Sequence, residues 1–261
     1  MKIQITLISL LLSAAGFSQN ISTEAPSVSA SAVTIPKGQL QGEFSAGFDV
    51  NNEGPETYFQ SSELPFLLTR YALTDRWEFR TQHGTQFTSI NGINNYQYTS
   101  FGVGVKYSIL PNDGNTNLAV IANYSPFNGI WRAQQGDLTL AFSQVLSESN
   151  SIGGNLGYSR FAVTAEGFGV ISNQNSYLAS AYYSFNFADK WTAFGEFFYR
   201  YSEFSSMGSE VLTGDTYGID FGLQYLLREN IQLDWVSGFN LSNSFQFHSL
   251  GFNIYFNTNK D

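Results

Sequence analysis

Large apolar side chains recur at every second position from Gln39 to Phe256, with polar or very small residues between them. Over Gln39–Val50 the even positions read Leu40, Gly42, Phe44, Ala46, Phe48 and Val50, and the odd ones Gln39, Gln41, Glu43, Ser45, Gly47 and Asp49. Further along, Tyr217, Ile219, Phe221, Leu223, Tyr225 and Leu227 alternate with Thr216, Gly218, Asp220, Gly222 and Gln224. Successive side chains of a strand point to opposite faces, so a period of two gives each strand one apolar and one wet face. The pattern predicts about twelve strands: Gln39–Val50, Tyr58–Leu73, Trp77–Phe87, Tyr96–Ile109, Asn117–Tyr124, Gly136–Leu146, Ser151–Val163, Ser176–Phe187, Trp191–Ser202, Thr216–Leu227, Ile231–Leu241 and Phe245–Asn257.

Alternation alone does not say which face is inside. A soluble sandwich or lipocalin-type barrel turns the apolar face into a core, and a membrane barrel turns it to lipid. Strand length and connection length favour the membrane. Most of the segments are about twice as long as the usual strand of roughly five to six residues. Short turns follow even-numbered strands, at Thr74–Arg76, Ser147–Asn150, Ala188–Lys190 and Arg228–Asn230. Longer links mostly follow odd ones, at Asn51–Thr57, Thr88–Asn95, Ser125–Gln135, Thr164–Asn175 and Glu203–Asp215; Leu110–Thr116 and Ser242–Ser244 depart from this sorting. Outer-membrane barrels keep short turns in the periplasm and long loops outside. The expected fold is all-β: a single antiparallel up-and-down transmembrane β-barrel of about twelve strands, both termini periplasmic.

The N-terminus carries an address. Lys2, the apolar run Ile3–Leu12 and the small residues before Ser18 form an export signal, with cleavage expected after Ser18. The run is too short for the roughly 20 residues a membrane-spanning helix needs. Residues 19–38, rich in Ser, Thr, Ala and Val, read as a flexible periplasmic lead-in, ended by the chain break Pro36-Lys37-Gly38. The barrel then occupies 39–257, and 258–261 form a tail. This address places the protein in a bacterial outer membrane, with membrane lipid as its first partner.

Composition narrows the chemistry. The chain has no cysteine, which excludes disulfides, thiolate metal sites and a lipidated N-terminal Cys. Its net charge of −9, or −10 once Lys2 is removed, argues against nucleic acid as a partner. Aromatics make up 16% of residues, enough for girdles at both membrane interfaces. Trp77, Trp191, Tyr177, Tyr217 and Tyr225 are the expected interfacial anchors.

The wet face holds charged residues at lumen-facing parity: Glu43, Asp49, Glu78, Arg80, Lys106, Asp137, Glu196, Arg200, Asp220 and Asp234. Arg70 joins them, because folding the second strand back about Thr74–Arg76 brings it beside Glu78 and Arg80. Facing lipid it would cost about 2–4 kcal/mol. Apart from Asp49 and Asp137, these are the selectivity candidates, and the same set also suits a purely structural ion-pair network. Glu196 and Arg200, four apart on one strand, suggest a second cluster. Small inward residues (Ser45, Gly102, Gly104, Ser180, Gly218, Gly222) leave room for a passage, which inward Phe194, Phe198 and Tyr182 could instead fill.

Catalysis finds little support. His83-Gly84-Thr85 puts a His and a hydroxyl two apart, but an outer-membrane phospholipase-like enzyme uses Ser as nucleophile where Thr stands here. Asp113–Asn117 lacks the glycine and distal Glu of a calcium loop and reads as a polar turn. No enzyme activity, cofactor or metal is expected.

Two stretches carry a resemblance: Thr34-Ile35-Pro36-Lys37-Gly38-Gln39-Leu40-Gln41-Gly42-Glu43, and Leu64-Pro65-Phe66-Leu67-Leu68-Thr69-Arg70-Tyr71-Ala72-Leu73-Thr74-Asp75-Arg76-Trp77-Glu78-Phe79-Arg80. They resemble the outer-membrane barrel family known as transporter, or meta-pathway of phenol degradation, proteins. That family pairs a Pro-x-Gly lead with a strand–turn–strand bearing Arg-Tyr, Asp-Arg and Glu-x-Arg. The family's Asp-Arg-Pro-Asp-like lead is represented here only by Ser22-Thr23-Glu24-Ala25-Pro26. The signal ending in Phe-Ser-Gln is similar to those of Bacteroidetes exported proteins. The resemblance implies a barrel passing small solutes, aromatic or apolar ones among them. The expected function is therefore a passive, porin-like outer-membrane channel. The alternatives are a non-conducting structural or adhesive barrel and, further off, a lipid-modifying one. Oligomeric state is not legible.

Overall fold

The computed structural model describes residues 23–24, 27–52, 58–90, 93–110, 112, 114–127, 132–165, 169–206, 211–242 and 245–257. The export signal over 1–18, its cleavage after Ser18 and the tail 258–261 lie outside the described residues. The chain forms β1 (Gln39–Asn52), β2 (Tyr58–Ala72), β3 (Trp77–Ile90), β4 (Ile93–Ser108), β5 (Thr116–Phe127), β6 (Arg132–Ser147), β7 (Asn150–Ala165), β8 (Gly169–Ala188), β9 (Trp191–Ser206), β10 (Leu212–Arg228), β11 (Ile231–Asn240) and β12 (Phe245–Asn257). Each pairs antiparallel with its sequence neighbours, and β1 closes on β12 from Gln39↔Asn257 to Asn51↔Phe245. Closure leaves no strand edge with unmet N–H and C=O groups, the condition for a sheet to stand in hydrocarbon.

The parity assignment holds. On β10, Tyr217, Ile219, Phe221 and Leu227 are exposed on the outer surface, while Gly218, Asp220 and Gly222 are buried inside. Phe44, Phe48, Trp77, Phe79, Val103, Val105, Phe142 and Phe197 likewise face outward. Tyrosine and tryptophan rings mark two bands, with phenylalanines between them. Near the short turns, Trp77 packs on Tyr107 at 4.6 Å and Trp191 on Tyr225 at 4.6 Å. Toward the other rim, Tyr177 lies between Tyr158 at 5.3 Å and Tyr201 at 6.2 Å, and Tyr217 pairs across to Tyr199. Tyr217 and Tyr225 stand eight residues apart on β10, roughly 27 Å along the strand. At the usual tilt that is about 20 Å of height, close to the apolar band of such barrels.

Two expectations need correction. The links predicted after odd strands are largely strand: β3 runs to Ile90 before β4 begins at Ile93, and β8, with 20 residues, starts at Gly169. Ladder hydrogen bonds continue where apolar alternation has stopped, because pairing between polar strand ends needs no lipid. The second correction concerns the stretch ahead of β1, expected to be a flexible periplasmic lead-in. Most of its described part, residues 23–24 and 27–35, lies inside the barrel, with Ala32 and Ile35 almost wholly buried, while Pro36 and Lys37 are exposed at the rim. It turns into β1 through Pro36-Lys37-Gly38, where Gln39 N–H donates to the Pro36 carbonyl and Gly38 adopts φ 73°, a conformation open to glycine.

Candidate functional site

The lumen segment is fastened through its main chain as much as its side chains. Thr23 accepts from the Gln224 and Gln232 amides at 3.1 and 3.4 Å, close to the β10–β11 turn. Across the lumen, Ser29 donates to the Glu196 carboxylate from both its hydroxyl and its N–H. Ala30 is gripped at both backbone groups by the Asn155 side chain, at 2.6 and 3.0 Å. Ala32 packs against Ile121 and Ala141 of β5 and β6. The chain then returns: the Val33 carbonyl accepts from Arg70 and Lys106, Ile35 N–H donates to Glu78, and Asn112 reaches Thr34. A polar barrel wall thus recognises a small-residue segment by its peptide groups, which would otherwise be buried without partners.

One charge cluster anchors the whole. Arg70 is completely buried and donates to Glu43 at 2.9 Å and to both oxygens of Glu78 at 2.8 and 2.9 Å. Glu24 of the lumen segment pairs with Arg80 and Lys106, lies 3.6 Å from Arg70, and its N–H donates to Glu43 at 2.8 Å. Burial alone would push the Glu24 carboxyl up; the Arg80, Lys106 and Arg70 charges outweigh burial and hold it well below the usual carboxylate range. The fold-back of β2 on β3 puts Arg70 opposite Arg80 and beside Glu78, as the turn at Thr74–Arg76 implied. Glu43, Arg70, Glu78, Arg80 and Lys106 therefore form a single group.

The remaining candidates do not join it. Glu196 and Arg200 form no ion pair among the described residues. Residues four apart on a strand share a face but lie roughly 13 Å apart, and Glu196 spends itself on Ser29. Arg200 instead borders a cavity of 420 Å³ with Asp137, toward the rim away from the short turns. Asp234 is held by Gln232 and Asn253. Asp220, opposite Glu196 in register and only 2% exposed, has neither carboxylate oxygen hydrogen-bonded.

The lumen is filled in a second way. Inward glycines sit across from inward rings: Gly218 opposite Phe198, Gly222 opposite Phe194, Gly153 opposite Tyr182. A Cβ at Gly222 would come within 2.5 Å of the Phe194 ring, so the glycine makes space that its neighbour's ring uses. Among the spaces left are two cavities toward the long-loop rim, of 310 and 420 Å³, and one of 270 Å³ toward the short turns. Ser27 and Ala30 border both the 310 and the 270 Å³ spaces, so this stretch of chain lies between the two.

Against this geometry the comparisons are informative. The crystal structure of an outer membrane channel from Pseudomonas putida F1 matches with a TM-score of 0.70, at 13% identity, over 89% of this chain and 100% of that one. The fold is that of outer-membrane β-barrels. The translocator domain of the autotransporter NalP from Neisseria meningitidis matches at 0.55 with 12% identity, over 98% of this chain and 95% of that one. The NanC porin matches at 0.52 with 13% identity, over 82% and 98%. Identities this low establish the shared barrel fold alone. No family model matches the chain, and no curated protein does.

Histidine chemistry stays on the outside. His83 packs against Phe101 at 4.9 Å with the two rings tilted. The pairing that sequence did not reveal is Ser237 with His248, whose hydroxyl and Nδ1 are 2.7 Å apart beneath Phe48. The two residues are distant in sequence and meet only through the β11–β12 register. Ser237 is buried and no described carboxylate or amide orients the ring, so the pair lacks an accessible nucleophile and a third group. Thr116 and Asn117 of the polar turn belong to β5, and Asp113 lies outside the described residues.

Proposed function

We propose that the protein is an outer-membrane channel for small solutes whose lumen segment, Thr23–Pro36, acts as a plug. The observation that carries this is at Ser27 and Ala30, which border a cavity toward each rim, so a segment held to the wall by non-covalent contacts stands between them. An outer apolar surface flanked by ring bands supports residence in a membrane, with Trp77, Trp191, Tyr177, Tyr217 and Tyr225 anchoring at its interfaces. The short turns face the periplasm in this reading, so the plug enters and leaves on the periplasmic side. Glu43, Arg70, Glu78, Arg80 and Lys106 dock the plug at rest and line the constriction once it moves. No step calls for catalysis or a cofactor.

The filled lumen also suits a non-conducting barrel whose outer strand ends bind a partner. Planar-bilayer recordings and liposome swelling separate the two. Full-length mature protein should conduct weakly, and a variant lacking residues 23–36 several-fold more. A deletion variant that is folded, yet passes neither ions nor small sugars, overturns the channel reading.

A further inference from the structure

The Glu24 carboxylate sits where the barrel wall is made for an anion. The strands bring three buried cations to the cluster, Arg70, Arg80 and Lys106, and two carboxylates, Glu43 and Glu78; the plug supplies the third. The wall alone is therefore net positive by one charge. The cations are not equivalent. Arg70 keeps Glu43 and Glu78 whether or not the plug is docked. Arg80 and Lys106, among the described residues, form ion pairs with Glu24 alone.

Arg80 is also under-used. It is 5% exposed, and only Nη2 is engaged, on Glu24; Nε and Nη1 have no hydrogen-bond partner. Unpaired guanidinium donors in so dry a place are costly and favour an added acceptor. Arg80 and Glu24 border the 310 Å³ cavity, where Val28, Phe66, Leu68 and Phe247 form an apolar patch and Ser45 and Gln82 are among the polar liners. The space thus sets an apolar patch beside a charged donor, with polar side chains completing the lining, the form of a site for a molecule with a compact apolar body and an anionic head. Its volume lies at the small end for ligand pockets, about 300–1,000 Å³, which suits one ring or a short branched chain.

We propose that Arg80 and Lys106 form a carboxylate-binding site that Glu24 occupies at rest as a tethered stand-in, and that a compact carboxylic acid with an apolar body displaces Glu24 and so frees the plug. The inference rests on the channel reading and deepens it by naming the solute class and the opening device. Its thermodynamics are those of competition. The acid reaches the two cations fully only when Glu24 has left, so its binding draws the population toward the undocked state.

Benzoate is the probe, with benzamide as its uncharged match in shape. The chain has no cysteine, so Ser27→Cys places a single reporter on the plug. Maleimide labelling of that variant should accelerate several-fold with benzoate and not with benzamide. By calorimetry on the full mature chain, Glu24→Gln should bind benzoate at least tenfold more tightly than wild type, because the tethered competitor is gone, and Arg80→Gln should not bind it. Equal benzoate affinity in wild type and Glu24→Gln, or equal labelling with the two probes, overturns the proposal. The labelling arm keeps the charge cluster intact and so stands even where a charge variant fails to fold. Benzoate binding as described, with no current in the plug deletion, would sink the channel reading and leave the binding site.

Discussion

Replacing Arg70 by Met should be among the most damaging single changes in the barrel, and the reason is local. Arg70 is fully buried and, among the described residues, donates once to Glu43, twice to Glu78 and, at 3.1 Å, to the Val33 carbonyl. Three carboxylates and three cations share the cluster, so Arg70→Met leaves an excess negative charge where water does not reach. Removing one partner of a buried ion pair typically costs about 3–5 kcal/mol. Methionine fills much of the volume, so the loss reports charge and hydrogen bonding, not a cavity. Urea unfolding in detergent micelles, followed by tryptophan fluorescence, measures it from the shift in midpoint at unchanged slope. The double variant Arg70→Met/Glu78→Gln restores neutrality and should recover about 1–3 kcal/mol of that loss, the usual coupling between contacting residues. A single variant within about 1 kcal/mol of wild type, or a double variant as unstable as the sum of its singles, refutes the electrostatic account.

Glycine positions give a second check. Gly222→Ala should destabilise by about 1–3 kcal/mol, since its Cβ meets the Trp235 carbonyl at 2.6 Å as well as the Phe194 ring, whereas Gly214→Ala meets nothing within 4 Å and should be nearly neutral; equal effects in the same unfolding assay would contradict the glycine–ring pairing. The pH dependence of plug docking follows from Glu24. Its carboxyl is held below the ordinary range by Arg80, Lys106 and Arg70, with Glu43 and Glu78 also facing it, so its contribution is complete above the unfolded-state pKa and is lost only as pH falls through the lowered one. The conductance difference between wild type and Glu24→Gln should therefore persist at pH 4 and narrow only on further acidification; a midpoint in the ordinary carboxylate range contradicts this.

The strands were legible because lipid imposes a rule on every second residue, and all twelve are where alternation placed them. Their outer ends were not, because beyond the bilayer only backbone pairing holds them, and that leaves no mark on side-chain order. Arg70 with Glu78 could be read from parity and one tight turn. The plug could not. Its Ser, Ala and Val residues have no period, and apart from Glu24, Thr23 and Ser29 the groups that hold it include peptide N–H and C=O at Ala30, Val33 and Ile35. The signal that was present is arithmetic: once Arg70 is turned inward, the wall cluster lacks one carboxylate, and Glu24 is the acid that precedes the barrel. Expecting Glu196 and Arg200 to pair applied helical spacing to a strand.

The lumen segment crosses the barrel and comes back. Thr23 is tied near the β10–β11 turn, and Pro36 hands the chain to β1 at the same rim. A tongue hinged at the mouth through which it enters can be drawn out and slid home again without any residue threading the wall. Sealing the β1–β12 seam and seating the tongue are thus separable events in assembly, and moving the tongue asks no rung of the ladder to part.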